Sequence, residues 1–233
     1  MCVYASAQLC TQTISNFVNK NMSNTEMPYH AGKMVAVSQS YISYVISGVV
    51  IRVIMRGHGA KSKLRPKHGG AVDIKFSPLD DSLLGCVMES GLVVWRLRGP
   101  ANESDQDLTE DIVMEVQCAP GASPALAMKW HTTDPNQFVT LHENGDILLW
   151  DLSVDGVGAA PLSTAASSPG RIVLREHSSA CKDASFSKDG TQLATAGPDG
   201  YAVVWSVTKG EEPRCLKKFS PHNGKPLRAV IFG

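Results

Sequence analysis

The sequence predicts an all-β fold built from one repeated unit of several strands. Short segments rich in Val, Ile and Tyr alternate with turns that contain Gly, Ser and Pro, and this pattern is typical of β-strands. Three similar segments also begin at His68, Ala122 and His177. No long amphipathic helical pattern competes with this interpretation.

Each copy contains an apolar strand, a polar turn, a second apolar strand, a Gly-containing turn and a third strand. The third strand holds Trp95, Trp150 or Trp205. A fourth strand is predicted in each copy at "DIVMEVQC", "GRIVLREH" and "RCLKKFSPH". A further copy begins at His222 and stops after its first strand. The segment 34–67 has the same strand pattern without the Trp, and it is interpreted as the first copy.

These copies resemble WD40 repeats, and the dipeptide that gives the repeat its name is intact once, as Trp150-Asp151. In that family, four antiparallel strands form a blade, and blades pack radially around a channel. The resemblance implies an incomplete WD40 β-propeller of about four blades plus one strand of a fifth. A disordered leader is expected at 1–33, before a partial propeller at 34–233. The blades are expected at 34–67, 68–121, 122–176 and 177–221, with the next one starting at 222–233.

The fourth blade carries a His, a Thr, an Asp and a Trp at positions that match the WD40 pattern, namely His177, Thr195, Asp199 and Trp205. In such a blade these side chains can form a buried hydrogen-bond chain from carboxylate to imidazole to hydroxyl to indole N–H. Buried polar groups need partners, so this network is interpreted as structural.

The third blade keeps only part of this set. It has Thr140 and Trp150, and Asn144 stands at the Asp position, while a His at the matching position is missing. A catalytic triad would not be expected to decay from copy to copy in this way. A stabilising network could lose members wherever the fold tolerates the loss.

The second blade departs further from the pattern. It keeps His68 and Trp95, with Cys86 near the hydroxyl position and Ser90 in a turn that is one residue shorter. Trp95 and Trp150 are therefore predicted as repeat anchors even where the rest of the network is incomplete.

The composition excludes several function classes. Lys+Arg and Asp+Glu are both 22, so net charge gives no sign of nucleic-acid or anionic-membrane binding. The six cysteines fit no zinc spacing and are interpreted as reduced thiols of an intracellular protein. No membrane segment, metal ligand set, phosphate loop or small-molecule substrate site is evident, and no cofactor is expected.

One local basic stretch could bind RNA or an acidic partner. Its cations are Arg56, Lys61, Lys63, Arg65 and Lys67. It contains no aromatic residue on which a base could stack, so a solvated loop and outer strand is the competing interpretation. Direct RNA contact stays open.

A closer family resemblance rests on "KMVAVSQSYISYVI", "GGAVDIKFSPLDDSLLGCV" and, above all, "EEPRCLKKFSPHNGKPLRAVIF". From about Met34 to Phe232 the chain resembles the amino-terminal WD40 domain of the enhancer of mRNA-decapping scaffold family (Hedls/Varicose-like). The resemblance implies a non-enzymatic scaffold of cytoplasmic processing bodies that couples the decapping enzyme to its activators. Such a scaffold promotes cap removal and 5′-to-3′ mRNA decay.

Two other hypotheses use the same residues differently. A WD40 adaptor of another cytoplasmic complex, such as a ubiquitin-ligase substrate receptor, would explain the blades but not the "EEPRCL" stretch. A hydrolase using His177, Thr195 and Asp199 would explain the polar residues but not their repetition.

Overall fold

The computed structural model describes residues 33–46, 48–102, 104–163 and 167–232. Within these residues the chain forms sixteen strands and no helix. The strands make four sheets of four antiparallel strands each, and every sheet is built from strands that follow one another in sequence. The prediction of an all-β fold is confirmed.

The first sheet consists of β1 (Val35–Val37), β2 (Tyr41–Ile46), β3 (Val50–Met55) and β4 (Lys61–Leu64). The second sheet consists of β5 (Ala71–Phe76), β6 (Leu83–Met88), β7 (Gly91–Arg98) and β8 (Thr109–Gln117). The third sheet consists of β9 (Ala125–Trp130), β10 (Gln137–His142), β11 (Ile147–Asp151) and β12 (Arg171–Leu174). The fourth sheet consists of β13 (Asp183–Phe186), β14 (Gln192–Ala196), β15 (Ala202–Ser206) and β16 (Arg214–Phe219).

Burial differs sharply between inner and outer strands. All six residues of β6 and all six of β10 are buried, because these strands lie between two neighbours in their own sheet and are covered on both faces. All six residues of β16 are exposed. The apolar runs in the second strands of the repeats therefore mark positions covered on both faces, and not one-sided amphipathic strands.

The hydrophobic core is divided among the spaces between consecutive sheets. Tyr41 of the first sheet stacks on Phe76 of the second, with ring centroids 6.1 Å apart. Trp150 lies in the cluster shared by the second and third sheets, and Trp205 lies in the cluster shared by the third and fourth. Each sheet thus buries its apolar faces against its neighbours, which is how blades of a propeller are stabilised. Four stacked sheets without closure form an incomplete propeller.

A buried carboxylate on β5, the first strand of the second sheet, links this sheet to its neighbours. Asp73 is fully buried and accepts hydrogen bonds from the backbone N–H groups of Lys33 (2.7 Å) and Met128 (2.9 Å). It also pairs with Lys75, whose Nζ lies 2.6 Å from Oδ2. One side chain on β5 therefore joins the segment before β1 to β9 of the third sheet.

Asp183 on β13 repeats part of this arrangement. It pairs with Lys129 Nζ at 2.7 Å and accepts from the backbone N–H of Val230 at 3.2 Å. The segment 222–232 therefore lies where the first strand of a following blade is expected. Within the described residues this segment forms no strand ladder.

Other expectations concern the ends of the fold and its thiols. The predicted leader lies outside the described residues except for Lys33. The four described cysteines, Cys86, Cys118, Cys181 and Cys215, are all free thiols. In the described part of the chain, no helix is long and apolar enough to cross a membrane.

Candidate functional site

The four side chains predicted to interact in the fourth blade lie together in the structure. Trp205 on β15 donates its indole N–H to the hydroxyl of Thr195 on β14 at 3.0 Å. His177 precedes β13, and its Nε2 lies 2.8 Å from the same hydroxyl. Its Nδ1 lies 3.0 Å from a carboxylate oxygen of Asp199. A continuous chain of hydrogen bonds therefore crosses the fourth sheet.

The turn between β14 and β15 fixes the position of Asp199. Its two carboxylate oxygens accept from the backbone N–H groups of Tyr201 and Ser178, each at 3.1 Å. Burial acts to raise the pKa of Asp199, but these N–H groups and His177 outweigh it and lower the pKa. Gly200 follows at a φ of +81°, which favours glycine, and the backbone of Gly224 fills the space that a Cβ would need.

Access to this network is closed. The side chains of His177 and Asp199 are 0% and 3% exposed, and Thr195 is 0% exposed. A nucleophilic hydroxyl must reach a substrate in a cleft. The arrangement satisfies buried polar groups and holds the indole ring in place, which is what a stabilising network requires.

The third sheet contains a related network with a different histidine. Trp150 donates its indole N–H to Thr140 at 3.0 Å, and Thr140 lies 3.0 Å from Nε2 of His142. Nδ1 of His142 lies 2.9 Å from the backbone carbonyl oxygen of Ser123. Burial lowers the pKa of His142 to about 4, so the imidazole is neutral at pH 7.

His142 was missed by the comparison of the repeats because it does not align with His177. It comes from the end of the second strand, whereas His177 comes from the loop before the first strand. The signal that could have found it is local, since Thr140 and His142 are two residues apart on β10. Residues two apart on a strand point to the same face.

Asn144, which stands at the Asp position of the third blade, belongs to the hairpin turn after β10. Its side-chain amide donates to Asp146 at 2.9 Å, and its backbone N–H donates to the hydroxyl of Ser123 at 3.0 Å. In this sheet the turn residues hold the loop in place, and a backbone carbonyl takes over the contact with the imidazole.

In the second sheet, the residues at the corresponding network positions have different surroundings. Trp95 is buried, and Cys86 is fully buried, which raises the pKa of its thiol. Nε2 of His68 lies 3.7 Å from Glu115 on β8, and the backbone carbonyl of His68 accepts from the N–H of Ser90 at 2.9 Å. Trp95 and Trp150 thus occupy the core positions expected of repeat anchors.

The predicted basic surface lies on and around the outer strand β4, where its cations are exposed. Arg56 donates to the backbone carbonyls of Ser38 and Gln39, at 3.0 and 3.1 Å. Lys67 pairs with Glu115 of the neighbouring β8 at 2.9 Å.

The other cations of this surface are Lys61, Lys63 and Arg65, all exposed. Ser62, between the two lysines, donates to Glu110 of β8 at 3.0 Å. Acidic side chains of the second sheet therefore face this basic strand and offset part of its charge. A role in binding RNA or an acidic partner stays a prediction. Within the described residues, no group of three or more His, Cys, Asp or Glu side chains could hold a metal ion.

Stacked four-stranded sheets with a buried Trp on the third strand define the class of WD40 propeller domains. Comparison with solved structures supports this fold assignment. The WD40 domain of Toxoplasma gondii coronin superposes with a TM-score of 0.66 at 13% identity, covering 88% of this chain and 49% of that one. A chain of the Mitotic Checkpoint Complex matches with a TM-score of 0.57 at 15% identity, covering 85% and 55%.

Within that class, the chain belongs to the family described as the WD40 region of Ge1, enhancer of mRNA-decapping protein, whose family model matches residues 13–233. Enhancer of mRNA-decapping protein 4 from Danio rerio is 29% identical over 229 residues, and the Homo sapiens protein is 29% identical over 231. These alignments cover 89% of this chain but 16% of each relative's length.

The family match extends the resemblance that the sequence suggested. That resemblance was expected from about Met34, but the match begins at residue 13, inside the predicted leader. The leader from residue 13 onward is therefore part of the family region, although its sequence carries no strand pattern as clear as that of the blades.

Proposed function

We propose that this chain is the WD40 part of a non-enzymatic scaffold of the mRNA-decapping complex. Its partners are the decapping enzyme and its activators, and it promotes cap removal and 5′-to-3′ mRNA decay in cytoplasmic processing bodies. The observation that carries the proposal is the family match over residues 13–233, together with relatives named as enhancers of mRNA decapping.

The geometry of the polar networks supports a non-enzymatic role. The residues that could be taken for a catalytic triad are buried and bonded to one another, so they serve the sheet in which they lie. The outer strands and the loops between strands remain exposed and can contact partners. WD40 domains share their fold across many functions, so the assignment to decapping depends on the family and not on the fold.

The first test is recovery of partners. The tagged 233-residue chain, expressed in cells that contain the decapping machinery, should co-purify the decapping enzyme and its activators. The matched control is the coronin WD40 domain, which shares the fold without the family. Equal recovery by both domains would overturn the proposal, and recovery of ubiquitin-ligase subunits in place of decapping factors would favour the adaptor hypothesis.

The second test measures function and location. Tethering the chain to a capped reporter mRNA should shorten its half-life, and an inactive variant of the decapping enzyme should abolish the effect. The tagged chain should also collect in processing bodies. A reporter half-life unchanged by tethering would contradict promotion of decapping, and diffuse fluorescence would contradict the proposed location.

A further inference from the structure

A cavity of about 160 Å³ lies between the third and fourth sheets. Its apolar wall is formed by Leu149, Val154, Ile172, Val207 and Pro213. A cavity of roughly 150 Å³ with an apolar lining is large enough to bind benzene. The space therefore matches one large apolar side chain.

Arg171, at the start of β12, lines the same cavity and is only 4% exposed. Its Nη1 donates to the backbone carbonyl of Pro161 at 3.0 Å, and its Cζ lies 5.6 Å from the ring of Trp150. Its Nε has no hydrogen-bond partner within the described residues, and no carboxylate of that part of the chain lies within 4.0 Å of the guanidinium. A buried cation without a counter-ion is costly, so this group favours an incoming anion.

The other charged groups of the lining do not meet this need. Lys209 and Asp151 pair at 3.2 Å, and Lys209 also pairs with Asp134 at 2.9 Å. Glu211 is exposed at the rim, where water and salt screen its charge. Among the described residues, Arg171 is thus the buried charge of the cavity that still lacks an opposite charge.

We propose that this cavity binds an acidic peptide segment of a partner protein. One aromatic or large aliphatic side chain of the segment enters the cavity, and a neighbouring carboxylate pairs with Arg171. The site rests on the proposed function, since it gives the scaffold a place to hold a partner. It also gives the "EEPRCL" stretch a role, because Glu211 and Pro213 from that stretch form part of the lining.

The test uses two small probes of nearly equal shape, phenylacetate and its neutral amide, phenylacetamide. Each is titrated into the ¹⁵N-labelled full chain while the Nε–H resonance of Arg171 is followed by NMR. Phenylacetate should shift this resonance saturably and bind at least about tenfold more tightly than the amide, because only the carboxylate neutralises the guanidinium. Equal binding of the two probes, or no saturable shift with phenylacetate, would overturn the proposal.

Two variants sharpen the result. Arg171→Lys keeps the charge but loses the planar fork, so the preference for phenylacetate should fall. Glu211→Gln removes the rim carboxylate and should leave the preference in place or strengthen it. The comparison of the two probes on the unsubstituted chain decides the proposal even if the Arg171 variant does not fold.

Failure of this proposal can be told apart from failure of the proposed function. If decapping factors co-purify with the chain but phenylacetate shows no preference, the cavity assignment is wrong and the scaffold role stands. If phenylacetate binds as expected but decapping factors are not recovered, the cavity binds peptides of another complex.

Discussion

The third and fourth sheets use different residues to complete the hydrogen bonds of a buried indole, threonine and histidine. In both, an indole N–H from the third strand donates to a threonine hydroxyl on the second, and a histidine Nε2 contacts that hydroxyl. In the fourth sheet the other imidazole nitrogen meets the carboxylate of Asp199. In the third it meets the backbone carbonyl of Ser123.

This difference shows which part of the network the fold requires. The tryptophan and the threonine keep the same strand positions. In both sheets the tryptophan pairs with the residue two positions before the threonine, so the indole reaches the hydroxyl diagonally on the same face of the sheet. The histidine can come from the loop before the sheet or from the end of the second strand. The acceptor for the second imidazole nitrogen can be a side-chain carboxylate or a backbone carbonyl, provided that this buried nitrogen has a hydrogen-bond partner.

The largest expected effect follows removal of the shared anchor. Trp150→Ala and Trp205→Ala should each lower the free energy of unfolding by about 3–5 kcal/mol, since each leaves a large cavity and takes the indole N–H donor away from the threonine hydroxyl. Urea denaturation of the purified chain would measure this. A much smaller loss for Trp205 would show that its network matters less than that of Trp150.

The threonine hydroxyl comes next. Thr195→Val and Thr140→Val keep the side-chain shape but leave an indole N–H and an imidazole nitrogen without their partner, so each should cost about 1–3 kcal/mol. Thr109→Val, on the exposed part of β8, is the matched control and should be nearly neutral. Unchanged stability of Thr195→Val, with loss of some hydrolytic activity, would instead support the hydrolase hypothesis.

Acidification should remove the stabilising contribution of His142 in the third sheet at a higher pH than that of Asp199 in the fourth. The pKa of His142 is about 4 in the folded chain and about 6.5 in the unfolded chain, so the unfolded state binds the proton more readily. Its contribution to stability is complete above pH 6.5 and should fall by about 2 kcal/mol between pH 7 and pH 5. Asp199 has a lowered pKa, so its contribution is lost only as the pH falls below 3.8.

The measurement is urea denaturation at pH 7 and pH 5. His142→Gln keeps a polar side chain that does not titrate, so this variant should lose the part of the pH dependence that His142 causes. His222→Gln, at an exposed position, is the control and should keep it. An identical pH dependence in His142→Gln and the unsubstituted chain would contradict the prediction.

The smallest effect is expected at the outer end of the fourth network. Asp199→Asn keeps the acceptor for the N–H of Tyr201 but places an amide NH2 where the second oxygen accepts from Ser178 and contacts His177, so it should cost about 1 kcal/mol. Asn144 already occupies this position in the third sheet, although there it pairs with Asp146. A loss as large as that of Thr195→Val would show that the charge of Asp199, and not only its hydrogen bonds, stabilises the fourth sheet.

The sequence by itself determined the repeated sheets, their buried tryptophans and the members of the fourth network. These features are local or repeat at blade spacing. Apolar strand segments that alternate with turn residues therefore predict them directly. The "EEPRCL" stretch also indicates the family from the sequence alone.

Only the tertiary structure decided three further features. His142 replaces the missing histidine, Asp73 links neighbouring sheets, and Arg171 is buried with no counter-ion among the residues that the structure describes. Each depends on which groups from distant parts of the chain meet in the core, and on whether they find partners there. The pairing of buried polar atoms depends on distances of a few ångströms across sheets, and a sequence pattern does not contain those distances.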